Sequence, residues 1–116
     1  MLTERFKVQF LEEAAEFLDH IDGKARDKII YNIRKAQIIN DNSLFKKLSG
    51  ETWEFRTLFN KEHYRLFAFW DKSDKPDTVV ITTHGIIKKK DKTPWKEIEK
   101  AEKIRLLYFE QKTQKR

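Results

Sequence analysis

Trp53-Glu54-Phe55-Arg56-Thr57-Leu58-Phe59, Asn60-Lys61-Glu62-His63, and Tyr64-Arg65-Leu66-Phe67-Ala68-Phe69-Trp70 form the stretch from which the fold is read. The outer runs are dense in aromatic residues that suit a pleated surface, and the polar segment between them supplies a turn, so the stretch predicts an antiparallel hairpin. A regular loop with an even number of residues, for instance Asn60-Lys61, points Arg56 and Arg65 to one sheet face. With that two-residue loop they become direct cross-strand partners. Like charges opposed in this way cost a hairpin up to ~1 kcal/mol, and a bound phosphate would reverse the sign. A bulge between them, or ion pairs with an acid such as Glu54 or Glu62, is the alternative. Phe67 and Phe69 share Arg65's parity, and aromatic rings beside guanidinium groups make a platform for stacked bases and held phosphates.

Working outward, Thr78 to Thr83 is β-branched throughout and predicts a third strand, reached through a loop over Asp71 to Asp77 that contains Pro76. Four lysines follow among Lys88, Lys89, Lys90, Asp91 and Lys92, and are expected on a loop at the end of the sheet. They can converge there on whatever the arginines hold, the alternative being a solvated charge run. Thr93-Pro94 offers a capping hydroxyl and a first-turn proline for a helix striped by Trp95, Ile98, Ala101, Ile104 and Tyr108. Gln111 to Arg116 has nothing to bury and is expected to fray.

Upstream, Phe6, Val8 and Phe10 alternate with polar residues as a short strand does. From Leu11 the period changes to that of a helix, with Leu11, Ala14, Ala15 and Leu18 on one side and Glu12, Glu13, Glu16 and Asp19 on the other. Asp22-Gly23 is expected to close it. A second helix carries Ala25, Ile29, Ile33 and Ala36 inward and a mostly basic outer side, completing a helical hairpin. Asn40 to Ser43 and Ser49-Gly50 read as turns, with Leu44, Phe45 and Leu48 as an anchor between them. The order predicts an α+β domain with a small, mainly antiparallel sheet and helices packed on one face.

The chain has 116 residues, which suits one domain, and its 13% aromatic content is too rich for disorder despite 38% charged residues. No cysteine is present, which removes disulfides and cysteine-based metal sites. The longest strictly apolar run, Leu66 to Trp70, is far too short for a membrane span, and Glu4 and Arg5 stand where a secretory signal would begin, so a soluble cytoplasmic protein is expected. Residues 1–22 hold six acids and two bases, −4, leaving +10 of the total +6 on the remainder. Such a field attracts a polyanion, nucleic acid first. The P-loop, dinucleotide and two-histidine zinc motifs are absent, and His20, His63 and His84 lack ligand spacing, so neither cofactor nor metal is expected.

Trp53-Glu54-Phe55-Arg56, Tyr64-Arg65-Leu66-Phe67, Thr83-His84-Gly85-Ile86-Ile87-Lys88-Lys89, Lys92-Thr93-Pro94 and Glu97-Ile98 with Ala101 together resemble the RelE/HigB superfamily of toxins, most closely its phage-derived HigB-like branch. Phe55 and Ile86 stand where that branch often has leucine and phenylalanine, changes that bear on packing. The resemblance implies a RelE-like fold and an endoribonuclease that cuts messenger RNA on the translating ribosome and is silenced by a helix-turn-helix, HigA-like antitoxin. The same superfamily includes ParE-like gyrase inhibitors, so the alternative is a non-catalytic binding module or an inhibitor of that kind, and the site must decide.

RNA needs no metal or protein nucleophile for cleavage, because the neighbouring 2′-hydroxyl can attack its own phosphodiester. Charge stabilisation at the scissile phosphate falls to Arg65 first and Arg56 second, with Arg65 expected to be exposed. His84, at the expected strand end, is the candidate proton carrier, and Lys88 and Lys89 join it if neighbouring charge lowers one pKa. Lys92, Phe67 and Tyr108 are the candidate RNA contacts. Tyr64 has the opposite parity and should face the core.

Overall fold

The computed structural model describes residues 3–74, 78–90 and 92–114. The chain runs β1 (Lys7–Phe10), α1 (Glu12–His20), α2 (Gly23–Ile38), β2 (Phe45–Ser49), β3 (Thr52–Phe59), β4 (Glu62–Asp71), β5 (Val79–Lys88) and α3 (Trp95–Gln114). The five strands form one mixed sheet in the order β1-β5-β4-β3-β2. Only β1 and β5 run parallel; the other ladders are antiparallel. Of the expected loop over Asp71 to Asp77, Asp71 ends β4, and Lys75, Pro76 and Asp77 lie outside the described residues, as do Asp91, Lys115 and Arg116.

Two consecutive helices stand where a helical hairpin is expected; α1 rests mainly on β5 and α2 on β3. The break between them differs in mechanism from the one expected. Ile21 turns extended after α1, and the Asp22 side chain accepts from the backbone N–H groups of Lys24 and Ala25 as the N-cap of α2, so Gly23 is the first residue of the second helix. The side of the sheet beneath α1 and α2 holds the main core. Ala14, Leu18, Ala25, Ile29, Ile33 and Ala36 meet Phe6, Phe45, Phe55, Tyr64 and Leu66 there. Phe45 sits 4.3 Å from Phe55 and 5.4 Å from Phe6, measured between ring centroids.

Of the anchor residues Leu44, Phe45 and Leu48, the last two prove to belong to a strand, and Leu44 closes the turn before it. Lys46 and Lys47 interrupt its apolar pattern because β2 is the sheet edge, where exposed lysines discourage pairing with another chain. β5 likewise outruns its predicted end at Thr83 by five residues. A register shift opposite Leu66–Ala68 absorbs the Thr83-His84 step, after which the ladder resumes with Gly85, Ile86, Ile87 and Lys88. Gly85 stays in the strand for a steric reason: a Cβ there would lie 2.4 Å from the Phe17 ring of α1.

The helices do not share one face. Strand parity puts Phe69 and Asp71 opposite in sense to Leu66 and Ala68, and α3 covers them. Phe69 packs on Tyr108 and Phe109, while Asp71 accepts from the Tyr108 hydroxyl and the Lys112 ammonium. That anchorage keeps Gln111 to Gln114 helical where fraying was expected. Trp95, expected in the buried stripe, is 62% exposed at the start of α3. Sandwiched between helices, β4 is buried continuously from Tyr64 to Phe69, and Arg65 is the one charged residue in that run.

Candidate functional site

Asn60 and Lys61 both take positive φ, 51° and 66°, the pair of left-handed residues that makes a two-residue type I′ turn. That turn fixes the register, and Arg56 is the direct partner of Arg65, with Leu58 opposite His63 and Glu54 opposite Phe67. All six share the sheet face on which α3 lies, because each is an even number of positions from its strand-mate.

Glu54 resolves the repulsion between the two arginines. Its carboxylate is buried, with Oε2 3.4 Å from Arg56 Nε and Oε1 3.5 Å from Arg65 Nε. Arg65 is therefore not the exposed guanidinium expected from sequence; its residue is 2% exposed, whereas the Arg56 side chain keeps 20%. The cause lies in the place of β4 at the centre of a sheet with helices on both sides. Arg65 also donates from Nη1 to the Tyr64 carbonyl at 3.3 Å and places Nη2 3.5 Å from His63 Nδ1. Tyr64 itself is buried in the main core, as parity requires.

The lysine-bearing segment reaches this pair through Thr93. Lys88 Nζ donates to Thr93 Oγ1 at 3.3 Å, and that hydroxyl donates to Glu54 Oε1 at 2.9 Å. Thr93 was expected to cap α3, but the helix starts at Trp95 and the hydroxyl is turned to the carboxylate. Lys88 is a strand residue, while Lys89 and Lys92 stand exposed on the connection from β5 to α3. Ser43, Arg56, Thr57, Leu58, His63 and Arg65 line a cleft of about 230 Å³ beside this network. Arg56, Arg65 and Lys88 are thus all linked to one carboxylate, the two arginines by ion pairs and the lysine through the Thr93 hydroxyl.

Other sequence candidates are placed differently. His84 is not at a strand end; it is 2% exposed inside β5, stacked on Phe67 at 4.8 Å, with Nδ1 2.9 Å from Thr83 Oγ1 and Nε2 3.1 Å from Glu97 Oε1. Burial lowers the imidazole pKa and outweighs the opposing effect of the hydrogen bond that the ring donates to Glu97. Phe67 and Phe69 do not form an open stacking platform; both are buried, one against His84 and the other against α3. Tyr108 is likewise turned to Asp71, and burial followed by that carboxylate pushes its pKa up to about 12.

Three residues of the cleft and of the network beside it are not legible in the sequence. His63 looked like part of the turn; its signal was its spacing of two from Arg65, which becomes informative once the turn is known to be Asn60-Lys61. In the sequence the Thr93 hydroxyl reads as a helix cap, and Ser43 as a loop residue with no visible connection to the hairpin.

Among the described residues, no group of three or more His, Asp or Glu side chains is placed to hold a metal ion, and no helix is long and apolar enough to cross a membrane. A family model described as phage derived protein Gp49-like (DUF891) matches residues 16–106. No curated protein matches the chain.

Proposed function

The chain belongs to the phage-derived Gp49-like family, a RelE/toxin-like family, and on that premise we propose that it is the toxin of a type II toxin–antitoxin system acting as a metal-independent endoribonuclease. Its substrate is messenger RNA on the ribosome, and a helix-turn-helix antitoxin silences it. The observation that carries this reading is the Arg56–Arg65 pair, held in register by a tight turn and by Glu54 at the wall of an open cleft. In the proposed reaction the RNA 2′-hydroxyl attacks the adjacent phosphorus, the 5′-oxygen leaves with a proton, and a 2′,3′-cyclic phosphate remains. Arg56, at the rim, takes a phosphate oxygen; Arg65, fixed beneath it, supplies a guanidinium whose orientation is set before substrate arrives. Lys88 adds charge, and Lys89 and Lys92 extend it along the strand of RNA. His63 lines the cleft and replaces His84 as the imidazole placed to move a proton.

The test uses the full chain with translating ribosomes and an end-labelled message. Cuts ending in cyclic phosphate, lost when the residue 5′ of the cut carries a 2′-deoxyribose and lost in Arg56→Gln, are expected. Arg56→Gln is the informative variant because Arg65→Ala removes a buried group and confounds activity with folding. Intact message in the presence of growth arrest would overturn the nuclease reading.

The burial of Phe67 and Phe69 and the engagement of His84 and Tyr108 favour one second reading, a non-catalytic module whose basic cleft docks on an anionic target. Under it, induction arrests growth with message intact, and a DNA-damage response marks the gyrase-inhibiting form.

A further inference from the structure

The cleft leaves unexplained a regular charged surface, the outer side of α2. Its inward residues are Ala25, Ile29, Asn32, Ile33 and Ala36, and Asn32 donates to Thr57 Oγ1 at 3.0 Å, which fixes the helix on the sheet face opposite the Arg56–Arg65 cleft. The outward positions are then Lys24, Asp27, Lys28, Tyr31, Arg34 and Lys35, all exposed. Four cations face one acid along this stripe, and none of the ion pairs among the described residues uses Lys24, Lys28, Arg34 or Lys35. Lys28 lies over the Tyr31 ring at 5.2 Å. At the rise of an α-helix, Lys24 and Lys35 stand about 16 Å apart, so the charges form a rigid row.

We infer that this α2 stripe is a second nucleic-acid surface, one that grips the phosphate backbone of a duplex rather than the single strand proposed for the cleft. The inference does not depend on nuclease activity. Three features separate a duplex from other anionic partners. Within α2, Tyr31 is the only large apolar side chain strongly exposed, so the stripe lacks the desolvated apolar centre that a protein interface needs. The apolar side of the helix is committed to the core, so it cannot insert into a lipid surface. A straight row of flexible ammonium groups suits repeated phosphates, which position a protein without reading sequence.

The probe is a fluorescein-labelled RNA hairpin with a fully paired stem and 2′-O-methyl groups throughout, which no 2′-hydroxyl attack can cut, alongside a DNA duplex of the same sequence. Binding to the full chain is followed by anisotropy as salt is raised. Lys24→Gln/Lys28→Gln/Lys35→Gln should weaken binding to a duplex at least tenfold at low salt and flatten the dependence of log K on log salt by about 2, since each phosphate contact contributes about 0.7–0.9 to that slope. Lys7→Gln/Lys96→Gln/Lys103→Gln removes the same charge from exposed positions elsewhere and should leave affinity within about twofold. Equal weakening by the two triple variants, or none by the first, would overturn the assignment. So would tighter α2-dependent binding of polyglutamate or of phosphatidylserine vesicles than of either duplex.

Discussion

Replacing Glu54 by glutamine tests whether one carboxylate holds the site together. The substitution keeps shape and an acceptor for Thr93 while removing the charge between Arg56 and Arg65. At 3.5 Å from Arg65 Nε, a unit charge at an effective dielectric near 20 is worth roughly 5 kcal/mol. Breaking a buried pair by deleting one partner costs about 3–5 kcal/mol in comparable cases, and the two figures agree. The Arg56 contribution is smaller, because its side chain is 20% exposed and water screens it. Against a typical total of about 5–15 kcal/mol, Glu54→Gln should move the urea midpoint sharply downward at constant m-value. Arg65→Met in the same background should recover part of the loss, since it removes the stranded charge. The double mutant should be at least about 2 kcal/mol more stable than the sum of the single effects. A loss below about 1 kcal/mol in Glu54→Gln, or strict additivity with Arg65→Met, would show that solvent carries these charges and would refute the account of the hairpin.

Three other outcomes follow from local geometry. Lys61→Gly removes a side chain from φ 66° in the I′ turn and should stabilise by about 0.5–1 kcal/mol in thermal or urea unfolding; a destabilisation would mean that the lysine side chain supports the turn. Gly85→Ala drives a methyl into the Phe17 ring and should cost about 1–3 kcal/mol, with Phe17→Leu in the same chain restoring part of it; a neutral Gly85→Ala would show that α1 can lift from β5 freely. Burial pushes the Asp71 carboxyl up, but hydrogen bonds from Lys112, Ser73 and Tyr108 outweigh it and hold its pKa well below the usual range. The resulting stability is fully present above the unfolded value near ~3.9 and is lost as pH falls towards the depressed folded value. Asp71→Asn should therefore cost about 2–3 kcal/mol at neutral pH and flatten the acid limb of the stability profile; an unchanged limb would remove Asp71 as the clamp on α3.

The readable parts of this fold were those where one local rule decides the outcome. The stripe Ala25, Ile29, Ile33 and Ala36 has helical spacing and is buried throughout, and the register of Arg56 on Arg65 follows from parity once the turn is Asn60-Lys61, the loop that the sequence offered as an example. Two strand boundaries were illegible because their causes are tertiary. β2 carries Lys46-Lys47 since it is an edge, and edges look like loops when their solvent side is charged. β5 continues through Gly85 since a helix needs the space of a side chain there, which in sequence looks like a turn. The placement of α3 was also hidden. A sheet covered on both sides has apolar residues at consecutive positions, and Leu66-Phe67-Ala68-Phe69-Trp70 had that form, yet only one covering face was expected.

That same double covering alters what the site can be. Parity correctly sent Phe67, Phe69 and Arg65 to one side, but parity cannot say whether that side is open, and α3 closes over the Phe69 ring while His84 of β5 stacks on Phe67. What remains exposed is the hairpin end, with Arg56, Leu58 and His63 around the cleft and Lys88 tied in through Thr93. A buried guanidinium held by Glu54 is a poor first contact for RNA and a good fixed charge, because a group already oriented in a low-dielectric wall needs no rearrangement when charge develops nearby. In the proposed reaction Arg56 and the lysines therefore govern capture, while Arg65 governs the chemical step. Salt should weaken capture strongly and the single-turnover rate on bound RNA weakly. A bound-state rate that falls with salt as steeply as binding does would contradict that division of labour.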